Sequence, residues 1–419
     1  MNILLIADDF YPNFGGVANV LWNLYKYIQN KEHKLLIFNP YTKCENVYQG
    51  IITKNYELKD LAYFLREREF YYNVIYSFWN VIRDKHTPFS HRLKILMYLI
   101  FKPKILMKVI ANVSNLLPNL KKLDFDIIVG GNSGWIFSVV FILSRIFDKK
   151  LISIAYGTDF LIRNPLSLKT FYFRNTDKII VINDQMKQLI KNMHQLDENQ
   201  LEIVFVGLDL NELEVKESKK ELRKEFNILE NQFVLLSVGR HVPRKKFDLV
   251  IKAVSEIRKL NPSLNIKYFL IGEGKETLYL KNLTKQLNLE SQIEFLGSCD
   301  LEKRNKFYKL SDIFLMPVEP KKNNIEGFGI VFLEANYFKV PVIGTATGGI
   351  VAAIVNGETG LFIKPNDLND LIEKILYLYE NEDVRKKMGE KGHDRVISEF
   401  LWEKIVDDYI HVFKSTSQK

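Results

Sequence analysis

The sequence predicts an α/β protein built from two doubly wound parallel sheets that face each other across a cleft. Three observations carry this expectation. The chain has 419 residues, and about 100–200 residues make one domain, so two domains are expected. Short apolar runs alternate with longer amphipathic ones through both halves, the pattern of parallel sheets covered by helices on both faces. A charged stretch, Glu212 to Lys224, separates the two alternating series and puts the joint near residues 205–230.

Taken in order, Asn2–Ala7 is a short apolar run halted by Asp8-Asp9, the signature of a buried strand. Gly15-Gly16 then opens a helical stretch, Val17–Ile28. Lys34–Phe38, Asp126–Val129, Leu151–Ala155 and Lys178–Ile182 read as further strands. The second half repeats the grammar with strand-like Phe233–Val238, Lys267–Ile271, Gln292–Leu296, Ile313–Met316 and Val340–Ile343. Helical stretches follow at Lys246–Leu260, Glu276–Leu287, Leu301–Leu310 and Gly329–Phe338, and Trp402–Phe413 is one more amphipathic helix. The expected division is a first domain over 1–205, a second over 206–395 and a terminal segment over 396–419. In open sheets of this kind ligands bind outside the carboxyl ends of the strands.

Composition narrows the function. Apolar residues are 47% and charged residues 26%, which excludes collagen, coiled coil and wholesale disorder. The two cysteines, Cys44 and Cys299, are too few for a disulfide framework or a Cys-rich zinc module and fit a reducing compartment. Met1-Asn2 lacks the basic start of a signal peptide. The longest apolar candidate, Trp135–Phe147, holds Ser138, Ser144 and Arg145 and is too short to span a bilayer. A cytoplasmic protein is expected. Lys plus Arg is 59 against 50 Asp plus Glu, a net charge of +9. Such a charge suits an anionic partner: nucleic acid, an acidic membrane surface or a phosphorylated substrate.

Most of that charge sits in one place. Lys85–Leu123 contains no acid and eight bases, among them Lys94, Lys102, Lys104 and Lys108. Beyond Pro103 a helix would set Lys104, Lys108, Asn112 and Asn115 on one stripe, with Val109, Val113, Leu116 and Leu117 among the apolar rest. A basic amphipathic helix suits an anionic bilayer, so these lysines are membrane-surface candidates. The alternative is a helix packed on the first sheet with a solvated basic edge. Nucleic acid is the weaker partner, because it calls for a broad, aromatic-interleaved basic face, whereas the charge is confined to one Leu/Ile/Met-rich segment.

Two constellations carry chemistry. In Glu326-Gly327-Phe328-Gly329-Ile330-Val331-Phe332-Leu333-Glu334, two carboxylates eight apart would lie within about 80° on a helix. With the glycines as the entering loop, Glu326 would sit at the helix mouth and Glu334 two turns in. Bare backbone N–H groups there can receive ligand oxygens. The second is Val238-Gly239-Arg240 followed by His241-Val242-Pro243-Arg244-Lys245-Lys246, where basic side chains appear just past an apolar strand. Arg can clamp a diphosphate and Lys adds a point charge. Alone, the first could be two solvated helix carboxylates with a turn glycine and the second a solvated basic loop; paired, they look like a phosphate-sugar site. Pro12 to Val17 and Gly272-Glu273-Gly274 are weaker glycine turns, each as readily explained by turn geometry alone. There is no Walker A lysine, no His-Glu-x-x-His and no Gly-x-Ser-x-Gly, and neither Asp124-Phe125-Asp126 nor His86 and His91 makes a metal set. No metal and no resident cofactor are expected.

On these residues the chain resembles the retaining glycosyltransferases of family 4, which have the GT-B fold of two facing Rossmann-like domains. The resemblance runs from Asn2 to about Phe413 and rests on Val238-Gly239-Arg240 with Lys245, Leu270 to Gly274, Phe295-Leu296-Gly297, the Glu326…Glu334 pair, Pro341-Val342-Ile343 with Gly348-Gly349, and Thr359-Gly360-Leu361. It implies a nucleoside-diphosphate sugar as co-substrate. Arg240 and Lys245 would hold the diphosphate, Glu334 the ribose hydroxyls, and Glu326 with the N–H groups of Gly327, Phe328, Gly329 and Ile330 the transferred sugar. Gly15 and Gly16 would join from the first domain, which would bind the acceptor, with Tyr156 and Asp159 as acceptor-side candidates. The last helix would cross back to the first domain. Three positions depart from the family pattern: Tyr156 stands where a histidine is usual, Val206 where an asparagine is, and Ala352 where an acid is. The implied activity is metal-independent hexosyl transfer to a lipid-linked or polysaccharide acceptor in cell-surface glycan assembly (lipopolysaccharide or capsule), by a cytoplasmic enzyme peripheral to the inner face of the membrane. A soluble enzyme with a small sugar acceptor and a non-catalytic nucleotide-sugar-binding protein are the rival expectations.

Overall fold

Strands covered on both faces need apolar residues at every position, not every second one. Asn2–Ile6 (β1), after its first residue, and Phe233–Val238 (β8), apart from Ser237, are such runs, and each is the strand from which its sheet extends in both directions. The computed structural model describes residues 1–7, 16–38, 51–52, 119–131, 136–157, 168–320 and 326–418, with Val109, Asn112, Val113, Leu116, Leu117 and Phe160. It divides into two compact units, Met1–Phe205 with Ile405–Lys419, and Val206–Lys404.

The first unit holds a seven-stranded parallel sheet in the order β3-β2-β1-β4-β5-β6-β7. Its strands after β1 are Lys34–Phe38 (β2), Ile51–Ile52 (β3), Ile127–Gly130 (β4), Lys150–Ala155 (β5), Lys178–Val181 (β6) and Leu201–Ile203 (β7). The order reverses between β1 and β4, where Leu4 lies between Leu36 and Ile128. The described helices are Gly16–Asn30 (α1), Ile136–Ile146 (α2), Lys169–Arg174 (α3) and Asp184–His194 (α4). α4 starts where the Asn183 side chain accepts the Met186 N–H at 2.8 Å and stops at Gln195, whose φ of 52° a helix cannot continue. Val109, Val113, Leu116 and Leu117 are buried. That apolar stripe is therefore not open to a bilayer at these positions. Lys94, Lys102, Lys104 and Lys108 lie outside the described residues.

The second unit holds a six-stranded parallel sheet in the order β10-β9-β8-β11-β12-β13. Beside β8 these are Ile266–Ile271 (β9), Ile293–Gly297 (β10), Ile313–Met316 (β11), Val342–Thr345 (β12) and Gly360–Ile363 (β13). The helices are Lys219–Glu225 (α5), Phe247–Leu260 (α6), Thr277–Gln286 (α7), Leu301–Leu310 (α8), Ile330–Tyr337 (α9), Ile350–Ala353 (α10), Leu368–Glu380 (α11) and Glu382–Glu399 (α12); Trp402–Ser417 (α13) follows. Asp312 ties the sheet's lower edge together, accepting from Val234 N–H at 2.8 Å, Arg223 Nη2 at 2.6 Å and Lys219 Nζ at 2.8 Å. The shift of its carboxyl runs downward; burial opposes it and Lys219 and Arg223 outweigh that burial.

Several elements correct the sequence-based expectation. The charged stretch ending at Lys224 runs into α5, started by a capping box in which Ser218 Oγ accepts Glu221 N–H and Glu221 accepts Ser218 N–H. β7, β13, α11 and α12 stand where no element was expected. β7 has three residues, too few for a period to show. α12 lacks an apolar stripe because glycines make part of its contact: a Cβ on Gly389 would lie 2.0 Å from Lys339 O, and one on Gly392 2.6 Å from Asn336 Nδ2.

Candidate active site

Three glycine-bearing loops interlock at the carboxyl ends of β8, β9 and β10. Gly239 follows β8 with φ 146° and donates its N–H to Ile271 O at 2.9 Å. Gly272 follows β9 with φ 117° and donates to Gly297 O at 2.8 Å. A Cβ on Gly272 would come within 2.2 Å of Gly239 O, and one on Gly274 within 2.4 Å of His241 O. The Gly272-Glu273-Gly274 turn thus serves backbone packing, and it sets the path of the basic loop after β8. His241 is buried beneath that loop. Its Nδ1 lies 2.9 Å from Thr277 Oγ1, which accepts the Gly274 N–H at 2.9 Å. Burial first, then Lys245 and Lys281, push the imidazole down to about 4, so it is neutral at pH 7.

The loop delivers its cations differently. Arg240 is exposed. Pro243–Lys245 forms one turn of 3₁₀ helix, closed by Lys246 at φ 52°. The turn leaves Lys245 only 8% exposed, with its ammonium lying over Gly239: a Cβ there would be 2.2 Å from Nζ. Only glycine leaves room for that ammonium. Burial lowers the lysine's pKa, the Glu326 carboxylate opposes this most strongly, and Arg244 and Arg240 add to the lowering while Glu334 opposes it. Lys245 is therefore the point at which Arg240, Arg244, Glu326 and Glu334 meet electrostatically.

Glu326 lies outside α9, in the loop before it. Its backbone oxygen accepts Gly349 N–H at 2.8 Å, and its carboxylate is ion-paired with Arg244. The two side chains keep only 15% and 11% of their surface. Gly329, at φ 78°, turns the chain into the helix, and a Cβ there would meet the Phe332 ring at 2.8 Å. Phe328 is buried edge-on against Phe400, with ring centroids 5.9 Å apart. Glu334 is the fifth residue of α9, a little over one turn in and not two. It is buried, and both its oxygens are engaged: Tyr308 donates to Oε2 at 2.7 Å and Arg304 Nη2 lies 3.2 Å from Oε1. Arg304 and Tyr308 share one face of α8 because they are four apart. Burial, with the adjacent Glu334 charge, raises the Tyr308 hydroxyl well above its usual range and keeps it a donor.

Sequence reasoning did not single out Arg244, Arg304 or Tyr308. Arg244 was visible only as one base in a basic run; nothing in α8 marks Arg304 and Tyr308 as partners of a carboxylate on another helix. With them the site has four cations (Arg240, Arg244, Lys245, Arg304) and two carboxylates (Glu326, Glu334), an excess of two positive charges. A diphosphate ester matches that charge. Among the described residues, no three His, Cys, Asp or Glu side chains cluster as a metal-ligand set. In the first unit Tyr156 is buried just beyond β5. Gly16 opens α1, and among the described residues nothing occupies the space a Cβ would take there. Gly15 and Asp159 lie outside the described residues.

Residues 218–395, which contain every charged group of this site, match the family model of glycosyl transferases group 1. An uncharacterized glycosyltransferase of Methanocaldococcus jannaschii is 27% identical over 99% of this chain and 98% of its own. In its second half, and in its relatives along the whole length, the chain resembles the group 1 glycosyltransferases. The N-acetyl-alpha-D-glucosaminyl L-malate synthase of Bacillus anthracis is 28% identical over 63% of this chain and 67% of its own. Among solved structures, the Anabaena protein HepE in complex with UDP superposes with a TM-score of 0.70 at 17% identity, covering 99% of this chain and 100% of its own. The two Rossmann-like domains are those of the GT-B fold.

Proposed function

We propose that the enzyme transfers a sugar, with retention and without a metal ion, from a nucleoside-diphosphate sugar to a lipid-linked or polysaccharide acceptor. The observation that carries this reading is the Lys245 ammonium, buried over Gly239 between exposed Arg240 and the Glu326 carboxylate. The UDP bound to HepE, a protein of the same fold, supports the class of donor. Arg240 and Lys245 hold the diphosphate, Glu334 accepts from the ribose hydroxyls, and Glu326 with the N–H groups of residues 327–330 meets the sugar.

In the transfer the acceptor oxygen bonds to the anomeric carbon as the carbon–diphosphate bond breaks. The acceptor proton passes to the departing diphosphate oxygen. Positive charge develops on the sugar near Glu326 and negative charge on the leaving group near Arg240 and Lys245. Losing one preorganised donor to such a charge costs about 2.7–4 kcal/mol of barrier. The cations thus supply the leaving-group stabilisation that a metal would otherwise give. Front-face attack accounts for retention, because a double displacement needs a second free carboxylate about 5 Å away, whereas Tyr308 and Arg304 occupy Glu334.

The basic segment Lys85–Leu123 supports a lipid-linked acceptor and a position at the inner membrane face. A second reading, transfer to a small soluble acceptor, draws on the name of the Bacillus anthracis relative and on the burial of Val109, Val113, Leu116 and Leu117. The test is a hydrolysis screen of UDP-, GDP- and ADP-sugars beside Glu326→Ala and Arg240→Ala. Slow release of nucleoside diphosphate from one donor, lost in both variants, is expected. Turnover that survives both substitutions would remove the assignment. Sedimentation with anionic liposomes at low salt separates the two acceptor readings.

A further inference from the structure

Arg240 meets solvent and Lys245 is packed over Gly239, but Arg244 is neutralised: its guanidinium is ion-paired with Glu326, the carboxylate that the donor's sugar requires. The partners are fixed from opposite sides. Arg244 O accepts Glu319 N–H at 2.7 Å, and Glu326 O accepts Gly349 N–H at 2.8 Å. Only the side chains are left to rearrange. A guanidinium has five donors in a fixed fork and binds phosphate as well as carboxylate.

We propose that Arg244 is a third diphosphate-binding cation, held on Glu326 until the donor arrives, so that arrival of the diphosphate frees the Glu326 carboxylate for the sugar. This rests on the donor site proposed above. The diphosphate brings two negative charges to a cluster whose excess is two positive ones. It competes with Glu326 for Arg244 and leaves Glu326 beside Lys245. The enzyme then offers an unpaired Glu326 only to a ligand that brings phosphate charge to the cluster. A free sugar, which is neutral, cannot draw the fork away. In this account Arg244 couples recognition of the leaving group to exposure of the group that meets the sugar.

The pair makes a thermodynamic cycle that needs no turnover. Binding of UDP, GDP and ADP to the full chain is measured by calorimetry at one ionic strength, for the wild type, Glu326→Gln, Arg244→Gln and the double variant. Release of the stored arginine should make Glu326→Gln bind the nucleoside diphosphate about tenfold more tightly than wild type, and Arg244→Gln should bind it about tenfold more weakly. In the Arg244→Gln background, Glu326→Gln should change nothing. Equal tightening in both backgrounds would show that Glu326 acts only through its field on Lys245 and Arg240, and would overturn the proposal. So would an Arg244→Gln enzyme of unchanged affinity. Arg244→Met, which keeps the apolar stem, repeats the cycle if the glutamine variant does not fold. Failure of the donor site itself is distinct: no diphosphate would bind the wild type, or Arg240→Ala would leave binding intact, and the proposal would fall with that site.

Discussion

His194 makes a measurable prediction about pH and stability. It ends α4 fully buried, with Nε2 2.9 Å from Phe160 O and Nδ1 2.9 Å from Thr170 Oγ1. A carbonyl only accepts, so Nε2 carries the proton, donates to Phe160, and leaves Nδ1 to accept from Thr170. The ring packs on Phe173, with centroids 4.8 Å apart. Burial drives the imidazole down to about 4, opposed by the Phe160 hydrogen bond and assisted by Lys169 and Arg174. A base whose folded pKa lies below its unfolded value stabilises the fold fully above the unfolded pKa, here about 6.5. That stabilisation is lost as pH falls from 6.5 to about 4. The whole gap is worth about 3 kcal/mol, and about 2 kcal/mol of it is gone by pH 5. His194→Gln can keep both hydrogen bonds but cannot titrate. Urea unfolding at pH 7.5 and pH 5 should therefore show the wild type losing about 2 kcal/mol more than the variant. Proton titration of carbon-labelled histidines should show the His194 ring still neutral at pH 5. A ring titrating near 6.5, or equal pH dependence in the two proteins, would refute the reasoning.

Three further outcomes follow from the site. Tyr308→Phe removes a charge-assisted hydrogen bond from buried Glu334, so thermal unfolding should reveal a loss of about 1.5–3 kcal/mol, and KM for the donor should rise with kcat largely kept; an unchanged KM would separate Glu334 from the ribose. Gly272→Ala sets a Cβ against the Gly239 carbonyl, a backbone atom that cannot swing aside, whereas Gly239→Ala meets only the tip of Lys245; both carry left-handed strain of about 1–3 kcal/mol, but urea unfolding should place Gly272→Ala lower. Donor turnover should be the same with and without EDTA, and activity restored only by added Mg²⁺ or Mn²⁺ would end the metal-free mechanism.

The frame of the fold was legible because its strands are written as unbroken apolar runs. Phe233–Val238, Ile313–Met316 and Lys34–Phe38 emerge with the bounds their composition predicts, as does the helix Leu301–Leu310. Of the elements that stayed hidden, α12 and β7 carry little apolar period to read. α12 packs in part through Gly389 and Gly392, and β7 is three residues paired with β6. The site divides in the same way. That Gly239, Arg240 and Lys245 follow the carboxyl end of β8 was legible, because an apolar run gives way there to a glycine and then to cations.

The sequence by itself determined two parallel α/β sheets, the basic loop after β8, and a carboxylate pair flanking a glycine turn. Each follows from a local rule: the period of apolar residues, the freedom of glycine, or the charge of neighbours along the chain. Tertiary structure alone decided which charges meet. Arg244 and Glu326 are 82 residues apart, and Tyr308 and Glu334 are 26 apart on separate helices. No periodicity links such positions, because the pairing is set by how the helices and loops pack around β8 and not by any regularity of the backbone within them.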